Sequence, residues 1–238
     1  MRLLLSVSLL LQVATASAQT WIAKQNMSMS NYQELFNELT PKGYKPVSVN
    51  FIAVNGVQQF NPVWHLQPGT VWETRSNLTE AQYQEYFNKL TPQGYMPTDV
   101  SVYNVNGKLV FSAIWEKRPT AVWIARHNLS AIQYQELFNK LTPDGYMPMH
   151  VSAYTGTNGE LLFAAVWEKR PGIAWEARHS LTATEFQSYF DKLTPQGYVP
   201  KELFAYYDKG VLKYGCIWQK IPGIKWEARY GLTYVALQ

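Results

Sequence analysis

Leu129-Ser130-Ala131-Ile132-Gln133-Tyr134-Gln135-Glu136-Leu137-Phe138-Asn139-Lys140-Leu141-Thr142-Pro143-Asp144-Gly145 carries both ends of a helix in its own letters. Ser130 stands where an N-cap is needed, and Gln133 follows three residues on, the spacing at which cap and side chain satisfy each other's backbone amides. Tyr134, Leu137, Phe138 and Leu141 fall at i, i+3, i+4 and i+7, one apolar stripe on one helical face. Proline disfavours helical geometry in the residue before it, and Gly145 accepts a left-handed turn, so the helix is expected to stop at Thr142. Burying four such side chains is worth roughly 6–12 kcal/mol before conformational entropy is subtracted, which calls for a sheet beneath the stripe.

The same sentence is written four times. Thr79 with Gln82 and Thr182 with Glu185 repeat the cap, and Ser28 repeats it with Asn31 at the third position. Tyr32, Leu35, Phe36 and Leu39 repeat the stripe, as do Tyr83, Tyr86, Phe87 and Leu90, and Phe186, Tyr189, Phe190 and Leu193. Trp21, Trp72, Trp123, Trp175 and Trp226 follow one another at steps of 51, 51, 52 and 51, and Trp64, Trp115, Trp167 and Trp218 keep the same period. A fixed period of this length marks a repeat protein, in which shared residues are explained first by packing. After each helix comes a β-rich run, then Asn55-Gly56, Asn106-Gly107 or Asn158-Gly159, with Lys209-Gly210 in the last copy. Asn-Gly between apolar runs is a hairpin signal.

The expected fold is therefore α+β: four tandem units of about 51 residues, each a helix plus a three-stranded antiparallel meander, with a spare N-terminal strand. The units are read as 27–76, 77–127, 128–179 and 180–232, within a repeat domain of 19–238. The meander takes the tryptophan segment, such as Trp175-Glu176-Ala177-Arg178, as the third strand of the preceding helix's unit. The spare strand either caps an open array or closes it into a ring.

Residues 1–18 read as a signal peptide: Arg2, an apolar run at 3–13 too short to span a bilayer, and Ala16-Ser17-Ala18 before the expected cleavage point. The mature chain is expected to be secreted and extracellular, with no membrane span. The chain's 238 residues carry 21 basic and 17 acidic side chains, a formal charge of +4 with no run of one sign, which is too weak for a nucleic-acid surface. Cys216 is alone, so no intrachain disulfide exists; it aligns with Ala113 and Ala165 and reads as a small strand residue.

No catalytic constellation is legible. Ser-x-x-Lys and Gly-x-Ser-x-Gly are absent, and His65, His127, His150 and His179 have no zinc-ligand spacing, so no catalytic residue, metal or cofactor is assigned. The candidate ligand-binding residues are polar positions that recur: Arg75, Arg126, Arg178 and Arg229, with His127 and His179 beside two of them. A guanidinium once per unit suits a polyanionic or peptide ligand. The competing structural reading is a cross-strand ladder of these arginines with Glu116 and Glu168. Gln33, Gln84, Gln135 and Gln187 recur on the helices and are expected to bond the strand that enters each helix. Asn26, Asn77 and Asn128 head Asn-x-Ser/Thr sequons and are candidate glycosylation sites, although their Ser or Thr is already explained as a cap.

Trp-Glu-Ala-Arg-His, Lys-Leu-Thr-Pro-x-Gly-Tyr-x-Pro, Asn-Gly and Phe-x-Ala-x-Trp-Glu-Lys-Arg-Pro together resemble the tandem repeats in the N-terminal region of fungal polyglycine hydrolases and related bacterial tandem-repeat proteins. The resemblance implies secretion and a link to a β-lactamase-like serine peptidase that cuts glycine-rich linkers. The sequence departs from that pattern in having no Ser-x-x-Lys, so no catalytic residue is carried over. Residues 234–238 fall where a fifth helix is expected to start, which favours a shortened chain. The leading expectation is a secreted non-catalytic module that binds an extracellular protein or glycan; the alternative is the repeat part of a polyglycine hydrolase-like enzyme. A third reading, a sugar platform of tryptophan rings, requires those rings to be exposed.

Overall fold

The computed structural model describes residues 20–54, 57–224 and 226. The first unit is β1 (Trp21–Ala23), α1 (Met29–Leu39), β2 (Tyr44–Val54) and β3 (Val57–Leu66). The second is β4 (Trp72–Leu78), α2 (Glu80–Leu90), β5 (Tyr95–Val105) and β6 (Lys108–Lys117). The third is β7 (Trp123–Ser130), α3 (Ala131–Leu141), β8 (Tyr146–Thr155) and β9 (Leu161–Lys169). The fourth is β10 (Trp175–Leu181), α4 (Ala183–Leu193), β11 (Tyr198–Asp208) and β12 (Val211–Lys220). Each unit thus holds one helix and one three-stranded antiparallel sheet, and the expected α+β repeat fold is what forms.

The strand order differs from a meander. The sheets run β1-β3-β2, β4-β6-β5, β7-β9-β8 and β10-β12-β11, so the tryptophan strand belongs to the helix that follows it. Trp175 lies opposite Gln219 of β12, and Trp21 opposite His65 of β3, which makes the N-terminal strand the first strand of the first sheet. The reason is edge supply. β9 pairs with β7 on one side and β8 on the other, which leaves no free edge for β10. Divided by these ladders, the units begin at Trp21, Trp72, Trp123 and Trp175 instead of at the helices. The central strands explain their own composition: Phe163, Ala164, Ala165, Val166 and Trp167 are consecutively buried because both faces of β9 are covered.

Local rules set the helix ends. Thr79, Ser130 and Thr182 form full capping boxes, while at Ser28 the Asn31 amide is accepted but the reciprocal bond is missing, because Asn31 is too short to reach back. At the other end the chain does not leave helical geometry before proline. Thr142 has φ −64° and ψ −40°, its N–H donates to the Phe138 carbonyl, and Pro143 is the second residue of a single 3-10 turn, Thr142–Asp144. Proline there lacks an N–H that would go unsatisfied anyway. Gly145, at φ 83°, then reverses the chain into β8.

Under each helix one aromatic pair stacks: Tyr32 on Phe60, Tyr83 on Phe111 and Tyr134 on Phe163, with centroids 5.1, 5.1 and 4.9 Å apart. The fourth unit swaps the two types, Phe186 on Tyr214 at 5.6 Å, and keeps the volume. Trp64, Trp115, Trp167 and Trp218 are fully buried beside these pairs, which overturns a sugar platform at those positions. Cys216 is fully buried as well, and burial holds its thiol pKa far above the usual range.

Units pack so that the sheet of one closes the core of the unit before it. The second unit's core cluster includes Tyr154, Ala164 and Val166 of the third; the third unit's includes Tyr206 and Ile217 of the fourth. The outer edge of β5 meets side chains of β8, with the Val102 N–H 3.4 Å from Ser152 Oγ and Asn104 Nδ2 donating to the Gly156 carbonyl at 2.9 Å. No helix among the described residues is long and apolar enough to cross a membrane.

Candidate functional site

The recurrent Arg-His pair and the recurrent helical Gln meet at the joints between units. One cleft, about 320 Å³, is lined by Tyr134, Gln135 and Phe138 of α3 and by Ala177, Arg178 and His179 of β10. A second, about 180 Å³, repeats it one unit earlier with Tyr83, Gln84, Phe87, Ala125, Arg126 and His127. The strand of one unit faces the helix of the preceding one, which is why residues 43 and 44 apart in sequence touch.

His179 Nε2 lies 3.0 Å from Gln135 Oε1, and His127 Nε2 lies 3.4 Å from Gln84 Oε1. An amide oxygen only accepts, so each Nε2 carries the proton and each Nδ1 faces away as an acceptor. His179 Nδ1 sits 2.9 Å from Ser180 Oγ. The rings stand edge-on to Tyr134 and Tyr83, and burial lowers both histidine pKa values, so these are neutral imidazoles at physiological pH. Their glutamine partners bond onward along the helix, Gln135 to Asn139 and Gln84 to Asn88, both at 2.8 Å. The glutamines therefore bond not the strand that enters their own helix but the tryptophan strand of the following unit, at two joints; at the first, Ser76 stands in the histidine position.

The arginines do not form the cross-strand ladder. Arg75 pairs with Glu73 at 2.9 Å and Arg178 with Glu176 at 2.8 Å, each two residues earlier on the same strand. The register forbids the alternative, because Arg75 lies opposite Ala113 while Glu116 lies opposite Trp72. Arg75 and Arg178 also cover the rings of Tyr86 and Tyr189, at 5.0 and 5.2 Å. Arg126 has Ile124 two residues before it and Leu137 on the helix, so it gains neither the carboxylate nor the ring. It is exposed, and one nitrogen donates to the Ala125 carbonyl at 2.7 Å. Arg229 lies outside the described residues.

Glu116 and Glu168 serve another purpose. Buried Lys45 of the first unit pairs with Glu116 of the second; Arg118 joins Glu116 at 2.7 Å to Glu168 of the third at 3.3 Å; Arg170 closes on Glu168 at 2.8 Å. Burial alone would raise the Glu116 pKa, but the Arg118 and Lys45 hydrogen bonds and charges bring it below the usual carboxylate value. This chain of charge ties three units together.

A second polar cluster went unread in the sequence. Ser48, Asp99, His150 and Glu202 occupy one repeat position, the fourth residue after Tyr44, Tyr95, Tyr146 and Tyr198, and they meet where the units adjoin. His150 Nδ1 is 2.8 Å from Glu202 Oε1, and its Nε2 is 3.2 Å from the Val100 carbonyl. Both partners are acceptors, so the ring is an imidazolium. Burial by itself would lower its pKa, but Glu202, Asp99 and the bond to Val100 outweigh that and push it up to about 9. Burial raises the Asp99 pKa, against the pull of His150 and of hydrogen bonds from Ser101 and Ser48. The signal was available: one polar residue per copy among buried neighbours such as Met96, Val100, Met147 and Val151.

Asn26, Asn77 and Asn128 all take left-handed backbone, with φ of 53°, 58° and 55°. In the second to fourth units this residue lies at a bulge in the tryptophan strand, between the register shifts at Arg75/Leu78, Arg126/Leu129 and Arg178/Leu181. Asn26 and Asn77 are exposed, whereas Asn128 is half-buried and its Nδ2 donates to Glu80 at 2.6 Å. Asparagine is thus placed here by its tolerance of positive φ. Among the described residues no group of His, Cys, Asp and Glu is arranged to hold a metal ion.

Compared with known protein families, four stretches, residues 18–66, 69–118, 120–170 and 172–221, each match the model described as polyglycine hydrolase-like, structural repeat. The matched boundaries start just before each tryptophan strand and end after the hairpin, in phase with the sheets.

Proposed function

The chain belongs to the polyglycine hydrolase-like structural-repeat family, and on that premise we propose that it is a secreted, non-catalytic binding module for an extended extracellular polypeptide. The carrying observation is the pair of equivalent clefts at successive joints, each offering an aromatic wall, a glutamine amide, a neutral imidazole and a guanidinium. A peptide backbone supplies carbonyls for the guanidinium, and acidic side chains suit Arg126, whose charge is the least committed of the three described arginines. A linear ligand engaging both clefts gains avidity that neither has alone. Secretion follows from the signal-peptide reading of residues 1–18, and glycan attachment is proposed for the exposed sequons at Asn26 and Asn77.

The test is titration of a fluorescent glycine-rich peptide bearing spaced glutamates, with a heparin oligosaccharide in a parallel series. Arg126→Ala is expected to weaken peptide binding about tenfold, roughly 1.4 kcal/mol, and Arg126→Ala with Arg178→Ala more. Equal binding by wild type and the double variant would remove the clefts as the site; binding of the oligosaccharide alone would turn the reading towards glycans. A second reading is favoured by the family itself: the array positions substrate for a β-lactamase-like hydrolase domain. Transcript sequence reading in frame beyond Gln238 into Ser-x-x-Lys would support it.

A further inference from the structure

Among the described residues, the first and fourth units each present an uncovered half of the joint that forms three times between units. In the first three units the core cluster contains residues of the following unit: Ile114 in the first, Tyr154, Ala164 and Val166 in the second, Tyr206 and Ile217 in the third. The fourth cluster, Leu181, Phe186, Leu193, Tyr214, Cys216 and Trp218, contains none among the described residues. Leu203 shows what is missing. Its equivalents Val49, Val100 and Val151 are 0%, 2% and 1% exposed, whereas Leu203 is 42% exposed, and Leu212 and Tyr207 beside it are 38% and 66% exposed. β11 is also an edge strand, whose counterpart β5 has its outer edge covered by Ser152 and His150 of the next unit.

The opposite end carries the complementary surface. Trp123 with Ala125, and Trp175 with Ala177, face the preceding helix, and both alanines are buried there. In the first unit Trp21 and Ala23 hold these positions and are exposed, Trp21 by 54%. Val63, in the place of Val166, continues this face.

We infer that the face around Leu203, Tyr207 and Leu212 docks the first unit of a second copy of this chain, head to tail, as a repetition of the internal joint. The occupant is set by precedent: the surface that covers the equivalent residues three times is another such sheet, and among the described residues of a second copy the first unit is the one with that sheet face uncovered. Such a contact is heterologous, so it propagates until it closes or runs on. Trp226 restrains it. Its ring stands on Phe190 at 5.6 Å and 72°, the place that Trp72, Trp123 and Trp175 hold on Phe36, Phe87 and Phe138, so the second copy's Trp21 must displace it.

Sedimentation velocity of the purified mature chain over a concentration series tests this. Wild type is expected to form concentration-dependent oligomers; Leu203→Glu and Trp21→Ala are each expected to lose at least about tenfold in association. A mixture of the two variants retains one good face of each kind and is expected to give a 1:1 dimer that does not grow. Trp226→Ala, which vacates Phe190, is expected to associate more tightly than wild type. All four are checked for native circular dichroism, so that loss of association is not loss of fold. A wild-type chain that stays monomeric throughout overturns the inference, and so do oligomers that persist in Trp21→Ala.

Discussion

The ring of Trp175 stands edge-on to that of Phe138, 5.9 Å between centroids and 82° between planes, although each belongs to a different unit. Phe138 is only half-buried and also meets Tyr134 of its own helix at 6.3 Å. Phe138→Ala therefore removes both intra-unit packing and a link between units, at an expected cost of about 3 kcal/mol in urea unfolding. A double-mutant cycle with Trp175→Ala is expected to give a coupling of about 0.5–1.5 kcal/mol. Additive single effects would show that the contact does not join the units.

His150 and Asp99 make stability depend on pH. A histidine whose folded pKa is raised to about 9 adds stability that is complete below its ordinary value of 6.5 and disappears as pH rises through 9. The raised Asp99 pKa acts in the same direction, since its buried carboxyl resists ionisation. Around His150 the facing groups are Asp99 of β5 and Glu202 of β11. The urea midpoint is expected to fall between pH 6.5 and 9, and His150→Gln is expected to flatten that fall. An unchanged slope would mean that the ring is neutral in the folded chain.

Lys45 stands where two other units have Met96 and Met147. Lys45→Met alone removes a partner from Glu116, which keeps Arg118, and is expected to destabilise by about 1–3 kcal/mol. Adding Glu116→Gln relieves the partly unpaired carboxylate, and the double variant is expected to recover most of the loss. Thermal melts of the two variants check this, and a double variant less stable than Lys45→Met alone contradicts it.

Ser180 holds φ 59° at the position where the other units have asparagine. Tyr206 Oη bonds its amide and hydroxyl at 3.1 and 2.9 Å, much as Tyr154 Oη bonds Asn128. Ser180→Asn keeps that tyrosine contact and suits the left-handed backbone better. It is expected to stabilise by about 0.5 kcal/mol, measured on bacterially expressed chain because the change creates a sequon.

What the sequence made legible was local. Ser130 with Gln133, the Tyr134 to Leu141 stripe and Gly145 are fixed by interactions within a few residues, and each is found where its spacing predicts. The frame was not legible, because β10 follows β9 after a short turn yet pairs with β12; that choice depends on β9 having both edges occupied, a non-local fact. The site was half legible. Arg126, His127, Arg178 and His179 do converge on clefts, since recurrence without a core role drew attention to them. Asp99, His150 and Glu202 differ in type, so a search for sameness between copies passed over them, although sharing one position is what brings them together.

Every β-ladder among the described residues closes inside about 50 contiguous residues, with Pro68-Gly69, Pro119-Thr120 and Pro171-Gly172 at the seams between the four units. A gene built this way can gain or shed a whole cassette by unequal recombination at a seam without severing a strand from its ladder partners. Selection then acts on array length almost independently of foldability, and the side chains at the seams become the only parts that must be renegotiated between new neighbours.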